Sequence, residues 1–401
     1  MMAPMEADAP RTRKRVQMAK WIALTAVLVG LPFLGAAASG HDVAEYLEFP
    51  PKLVGVVPNE NAPFSWAAFA LYAAFIAVFV VPLGMRLLRT GPAAAASPGR
   101  FPWWGWAGVA LGAASWTLAW NRFAWFEPWQ KETFVLLWAA YMLVFNGLAQ
   151  KRLGAAPMLS SVRRYAFLFA ASAAYWWSFE YLNRFARNWR YRDIDAFGPF
   201  QYALAATAAF STVLPAFFAT YEWIVNAPRI QAAFREWIVI RIPQPRTASI
   251  AALVFSAAGL AFLGVWRDLL FPMVWVSPVL VFVSIQTLRG RPHVLTGIER
   301  GDWRRAVAAS LAALCCGLFW EMWNWKSLAK WEYDIPFVGR FHLFEMPLLG
   351  YAGYIPFGLM CSAVADAVMR PRAASPAIAS AATASAAASS ARPLGTSFSD
   401  R

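Results

Sequence analysis

Long apolar runs separated by short polar segments set the pattern of this chain. They fall at about 21–39, 64–88, 102–120, 133–150, 165–183, 200–225, 248–266, 269–288, 306–325 and 345–369. Each comes near the roughly 20 residues that a helix needs to cross the apolar part of a bilayer, and a helix satisfies all its own backbone groups there. The pattern predicts an all-α integral membrane protein of about ten transmembrane helices. The first run follows a basic tail, residues 1–19, and ends in the small residues Ala36 to Gly40; it is longer than a signal-peptide core and reads as an uncleaved helix. Residues 370–401 form an Ala/Ser/Pro tail without apolar periodicity, expected to be disordered.

The runs are organised by a duplication. Adding 141 to Glu180 gives Glu321, to Asn183 gives Asn324, to Asp193 gives Asp334, to Gly198 gives Gly339, to Phe200 gives Phe341 and to Pro215 gives Pro356. Trp189-x-Tyr191 matches Trp331-x-Tyr333 after a slip of one residue. Agreement at so many spaced positions divides the chain into repeat 1 (102–226) and repeat 2 (247–369), each of four helices, preceded by two N-terminal helices within 20–101. An even number of helices gives both repeats the same orientation, related by an axis along the membrane normal.

Composition agrees with a membrane protein: 59% of residues are hydrophobic, 14% are charged, and there are 22 Trp and 31 Phe among 401 residues. The formal charge of +14 raises nucleic acid as a partner, but its distribution removes it. With the N-terminus inside, 25 of the 36 Lys and Arg fall in cytoplasmic segments, which gives an N-in, C-in topology and explains the basic excess. The cysteines, Cys315, Cys316 and Cys361, sit inside apolar runs and imply no disulfide framework. His41, His293 and His342 lie in separate loops, so haem, di-iron and zinc centres are excluded; no nucleotide-binding loop and no Gly-x-Ser-x-Gly elbow is present. No metal and no cofactor is expected.

What remains is an acid where none is needed for folding. Glu180 and Asn183, like Glu321 and Asn324, stand three positions apart at the end of a long apolar run, on one helix face. An acid in such surroundings is protonated, paired or facing water, and the first of these suits a proton donor. These four are the candidate catalytic residues, with the two faces expected to converge on one outward-leaning cavity. Trp177, Trp320, Trp323, Tyr333, Trp189 and Tyr191 are its candidate aromatic walls, and Arg187 and Arg190 are candidate contacts to an anionic head group. The competing reading pairs the arginines with Asp193, Asp195 and the acidic loop 40–63, and makes each Glu a lock between the repeats. Pro215 and Pro356 interrupt helices at matching positions.

The block Phe319-Trp-Glu-Met-Trp-Asn324, Trp331-x-Tyr333 and Phe344-Glu-Met-Pro347 through Pro356 resembles a family of bacterial polytopic membrane proteins with a repeated (Phe/Trp)-Glu-x-x-Asn motif. The likeness covers roughly 102–369 and implies a multi-pass protein of the bacterial cytoplasmic (inner) membrane. By class the chain is also similar to bacterial tetrahymanol synthase, an enzyme that remodels a hopanoid, though no catalytic motif carries over residue by residue. Three functions follow as expectations: an enzyme, such as a cyclase or isomerase, working by acid chemistry on a membrane-dissolved polyprenoid or triterpenoid; a proton-coupled secondary transporter; or a structural assembly factor. Membrane lipid is the expected partner, and a homo-oligomer is left open.

Overall fold

The computed structural model describes residues 29–51, 61–91, 99–192 and 197–369. The two terminal tails, Glu60, Asp193 and Asp195 lie outside the described residues. The fold is all-α, and among the described residues five helical spans are long and apolar enough to cross a membrane, of which Ala124–Leu153, Pro199–Val225 and Leu348–Met369 each join two consecutive helical pieces. Helices α1 (Val29–Ala38) and α2 (Trp66–Arg89) come first. The first half then runs α3 (Trp103–Trp120), α4 (Thr133–Leu153), α5 (Val162–Ala186), strand β1 (Trp189–Tyr191), α6 (Pro199–Ser211) and α7 (Val213–Val225). After the short α8 (Pro228–Phe234), the second half repeats that order: α9 (Pro245–Ala261), α10 (Met273–Leu288), α11 (Arg304–Lys326), strand β2 (Trp331–Tyr333), a small hairpin of β3 (His342–Leu343) and β4 (Met346–Pro347), and α12 (Tyr354–Met369).

Packing interlocks the two halves. Helix α11 lies against α7 of the first half, α5 lies against α12 of the second, and α7 and α12 meet between them. Within each half the helix contacts carry small residues: a Cβ on Gly358 of α12 would stand 2.3 Å from the carbonyl oxygen of Ala309 on α11, and one on Gly108 of α3 would stand 2.6 Å from Cβ of Leu143 on α4. Backbones this close gain dispersion along their length, which is what associates helices where lipid is as apolar as the side chains. By contrast, no residue of α2 is buried. It touches the bundle near its ends, where Arg86 donates to the Ala233 carbonyl at 2.9 Å and Phe69 meets the Phe341 ring.

The apolar run 200–225 is two helices, because the chain breaks between Ser211 and Val213. Pro215 is the third residue of α7, in the first turn, where its missing N–H costs nothing. Pro356 occupies the same place in α12. The run 345–369 departs further from a single helix, since β4 and a short helical turn precede α12. Buried side chains make good the bonds that the first break removes. Ser172 of α5 donates to the Phe210 carbonyl at 2.6 Å and accepts from the Leu214 amide at 2.9 Å. Tyr165 donates to the Pro215 carbonyl at 3.0 Å and accepts from Asn146 at 3.0 Å.

Strands β1 and β2 pair antiparallel, with Trp189 opposite Tyr333, Arg190 opposite Glu332 and Tyr191 opposite Trp331. Matching residues thus exchange places across a local twofold. The ladder extends evenly at both ends: the Asp334 amide donates to the Asn188 carbonyl at 2.9 Å, and the Arg192 amide to the Lys330 carbonyl at 2.7 Å.

Replacing Ser172 by Ala leaves the Phe210 carbonyl and the Leu214 amide unpaired in the bundle interior. Loss of about 1–3 kcal/mol is expected, read as a lowered thermal unfolding midpoint of the detergent-solubilised protein.

Candidate functional site

Each Glu-x-x-Asn motif reaches from the end of a helix to the strand that follows it, with a separate task for each residue. Asn183 accepts from the Asn188 and Trp189 amides at 2.8 and 3.3 Å and donates to the Trp189 carbonyl at 2.7 Å. Asn324 accepts from the Trp331 amide at 2.9 Å and donates to the Trp331 carbonyl at 2.7 Å. A carboxamide offers one acceptor and two donors in the plane of its end, so it stands in for a strand partner on the open edge of each strand. Both asparagines are buried; they clamp backbone and do not meet the glutamates.

The glutamates take the third residue of each strand. Tyr191 donates to Glu180 Oε1 at 2.6 Å, and Tyr333 donates to Glu321 Oε1 at 2.7 Å. Burial, with the facing glutamate adding in the same direction, pushes both hydroxyls, which lie outside the spanning helices, well above the ordinary phenol range. They therefore remain protonated donors.

Beyond this shared geometry the two acids differ. Glu180 Oε1 also accepts from the indoles of Trp176 at 2.9 Å and Trp189 at 3.1 Å. Four residues before Glu321 stands Gly317, where Trp176 would have its match, and Tyr354 fills the space: a Cβ on Gly317 would meet its ring at 2.5 Å. Tyr354 gives its hydroxyl to Glu321 Oε1 at 2.6 Å, and the Trp331 indole donates to the Tyr333 hydroxyl at 2.8 Å. Glu321 is wholly buried, and its second oxygen, Oε2, has no hydrogen-bond partner among the described residues.

Two cavities adjoin this network. The larger, about 260 Å³, lies between α2 and the bundle, with Tyr72, Phe75 and Phe79 of α2 on one side and Trp275 and Phe357 on the other. The smaller, about 150 Å³, lies among α4, α6 and the strands, lined by Phe134, Tyr191, Phe210, Trp320 and Trp331. Trp176, Trp189, Trp275, Tyr333 and Tyr354 line both. The two tyrosines that serve Glu321 therefore face both cavities, with the carboxyl behind them.

Of the residues singled out from sequence, Trp189, Tyr191, Trp320 and Tyr333 line this space. Trp177 turns to Thr207, 3.0 Å away, while Trp323 packs on Trp138 and Phe319; neither lines either of these two cavities. Arg187 pairs with Glu45 of the acidic loop at 3.0 Å and Arg190 with Glu332 at 3.3 Å. Arg184 holds the loop carbonyls of Tyr46 and Glu48 at 2.8 and 2.6 Å. Trp176, Trp275 and Tyr354 are the site residues that sequence reasoning passed over. Tyr354 aligns with Val213 in the duplication, so repetition gives no sign of it, and the absence of a side chain at Gly317 is the one trace it leaves. Comparison with protein families, curated proteins and solved structures returns no match.

Substituting Ala for Asn183 frees the amide and carbonyl of buried Trp189, and for Asn324 those of half-buried Trp331, at a cost of roughly 2 kcal/mol and somewhat less respectively. Because both clamps hold one strand pair, the double substitution is expected to cost less than the sum of the two. A double-mutant cycle of thermal unfolding in detergent measures the difference.

Proposed function

We propose that this chain is a multi-pass membrane enzyme that isomerises or cyclises a membrane-dissolved polyprenoid or triterpenoid, with Glu321 as the proton source. In this reading ten helices cross the bacterial inner membrane with both termini inside, as the distribution of Lys and Arg indicates. The observation that carries the chemistry is a buried carboxyl with one oxygen held by Tyr333 and Tyr354 and the other unpartnered, directly behind the wall of two aromatic cavities.

The chemistry needs no cofactor. The hydroxyl of Tyr333 or Tyr354 turns from Glu321 to the alkene, gives its own proton to one carbon and takes the acid proton of Glu321 in its place: the tyrosine and glutamic O–H bonds break, a new tyrosine O–H bond forms, the π pair forms the new C–H bond, and the positive charge falls on the neighbouring carbon. Indole and phenyl faces attract such a cation. Loss of a proton from an adjacent carbon, by the same route back to the carboxylate, restores the acid and leaves a shifted double bond or a new ring. Glu180, with three donors on one oxygen, positions β1 and the Trp189 face of the wall.

A second reading has one observation of its own. The break between α6 and α7, and the hairpin and turn that precede α12, are irregular backbone of the kind found at transport sites, and a protonatable carboxyl beside them suits proton-coupled transport.

The test compares lipid extracts, by mass spectrometry, from source cells with the gene deleted and with it restored as wild type, Glu321→Gln, Tyr354→Phe or Glu180→Gln. A lipid that disappears on deletion is expected to return with wild type and Glu180→Gln, to stay absent with Glu321→Gln, and to fall roughly 100-fold or more with Tyr354→Phe if that hydroxyl carries the proton. Identical lipids in all strains, at equal protein levels, would remove the enzyme and direct attention to proton-coupled uptake by the same variants.

A further inference from the structure

We propose that the larger cavity binds an uncharged, unsaturated lipid alcohol whose hydroxyl donates to the side-chain oxygen of Asn188; this rests on reading the cavities as a lipid site. Among the described residues no charged side chain lines this cavity, and most of its lining is aromatic or aliphatic. Asn188 is one of its few polar lining residues. It is 3% exposed, and its Oδ1 has no hydrogen-bond partner among the described residues.

The backbone of Asn188 is already committed to the strands. Its amide donates to Asn183 at 2.8 Å, and its carbonyl accepts from the Asp334 amide at 2.9 Å. Only the side chain is left for a ligand. The slip that aligns Trp189 with Trp331 aligns Asn188 with Lys330, which lines the smaller cavity and is bound to Glu345 at 2.5 Å. The residue before each strand thus lines a cavity: in one half it is an ammonium with its acid in place, and in the other a neutral amide whose oxygen lacks a donor. A buried carbonyl oxygen without a donor is costly. The last torsion of an asparagine is soft, so the amide can turn to a hydroxyl in the cavity beside it. An anionic head group finds no counter-charge in this lining, and burying an unpaired charge costs far more than burying a hydroxyl.

The rest of the lining indicates what carries the hydroxyl. Trp176, Trp189, Trp275 and Phe357 give the cavity an aromatic side, with the Trp189 and Trp275 ring centres 5.6 Å apart and those of Trp275 and Phe357 5.9 Å apart. Such rings attract other π systems and the polarised C–H groups beside them, which favours an unsaturated chain over a saturated one. The opposite side is thinly covered: no residue of α2 is buried, and its lining residues Phe75 and Phe79 are themselves exposed. That is the side from which a ligand dissolved in the bilayer arrives.

The experiment measures equilibrium binding of radiolabelled farnesol, and of its methyl ether, which has no donor, to the full-length protein in nanodiscs of zwitterionic lipid, less the uptake by empty nanodiscs. Farnesol is expected to bind roughly tenfold more tightly than the ether. In the Asn188→Leu variant that advantage should disappear while the ether keeps its affinity, the sign that the cavity is intact. Should that variant fail to fold, the wild-type comparison alone decides the hydroxyl contact. Equal affinities in the wild-type protein would overturn that contact and leave the lipid site standing, and an advantage kept in Asn188→Leu would overturn Asn188 as the partner. Farnesyl monophosphate bound as tightly as farnesol would overturn the uncharged class. Retention of neither farnesol nor the ether above empty nanodiscs would remove the lipid site itself.

Discussion

The antiparallel pairing of β1 with β2 is the constraint on which the rest of this molecule depends. Three-residue strands inside a helical bundle carry amides and carbonyls on both edges, and buried backbone groups must all be paired. On the inner edge each strand serves the other; on the outer edge, at Trp189 and Trp331, a carboxamide from the preceding helix takes the place of a third and fourth strand. Once the strands are fixed, their tyrosines have one direction in which to point, and each meets the glutamate one turn back from the clamping asparagine. A three-residue spacing on a helix, which places two side chains about one turn apart on one face, is therefore used to address two parts of one strand.

On that shared frame the two halves have diverged at a few positions, and the divergence gives each carboxyl its character. Trp176 crowds Glu180 with an indole donor, while Gly317 leaves room for a tyrosine from α12 beside Glu321. The exchange keeps a donor on the same oxygen but moves its source from the glutamate's own helix to another. Glu321 thus binds α11, β2 and α12 together through two hydroxyls and still has an oxygen to spare. Charge differs as well: among the described residues Lys131, Arg192 and Lys330 line the smaller cavity and no charged residue lines the larger.

The helices could be read from the sequence because their signal is long: about twenty apolar residues leave few alternatives, and helices occupy every apolar run that falls within the described residues. The breaks were less visible. Pro215 marks one, but the chain leaves the helix before it, at Ser211 to Thr212, since proline is accommodated at a helix start. In the run 345–369, Pro347, Gly350 and Gly353 carry the turn that replaces helix, though overall hydropathy hides it. The Glu-x-x-Asn motif was legible as a duplicated feature, yet its use was not. Trp-x-Tyr is too short to show a strand period, and its partner lies in the other half of the chain, so no local pattern points to the pairing. Trp275 and Tyr354 come from α10 and α12, elements that lie outside the duplicated motif.

The register of β1 on β2 also bears on where such a chain comes from. Trp189 faces Tyr333 and Tyr191 faces Trp331, so each strand presents to the other what it receives. That is the defining property of an isologous contact, which serves equally well between two identical subunits. The same six residues would serve a contact between two separate halves as well as they serve this one. Joining the copies in one polypeptide frees each from the need to stay identical, and an exchange such as a tryptophan for a glycine opposite a tyrosine is a change that only a fused, pseudo-symmetric pair can make on one side at a time.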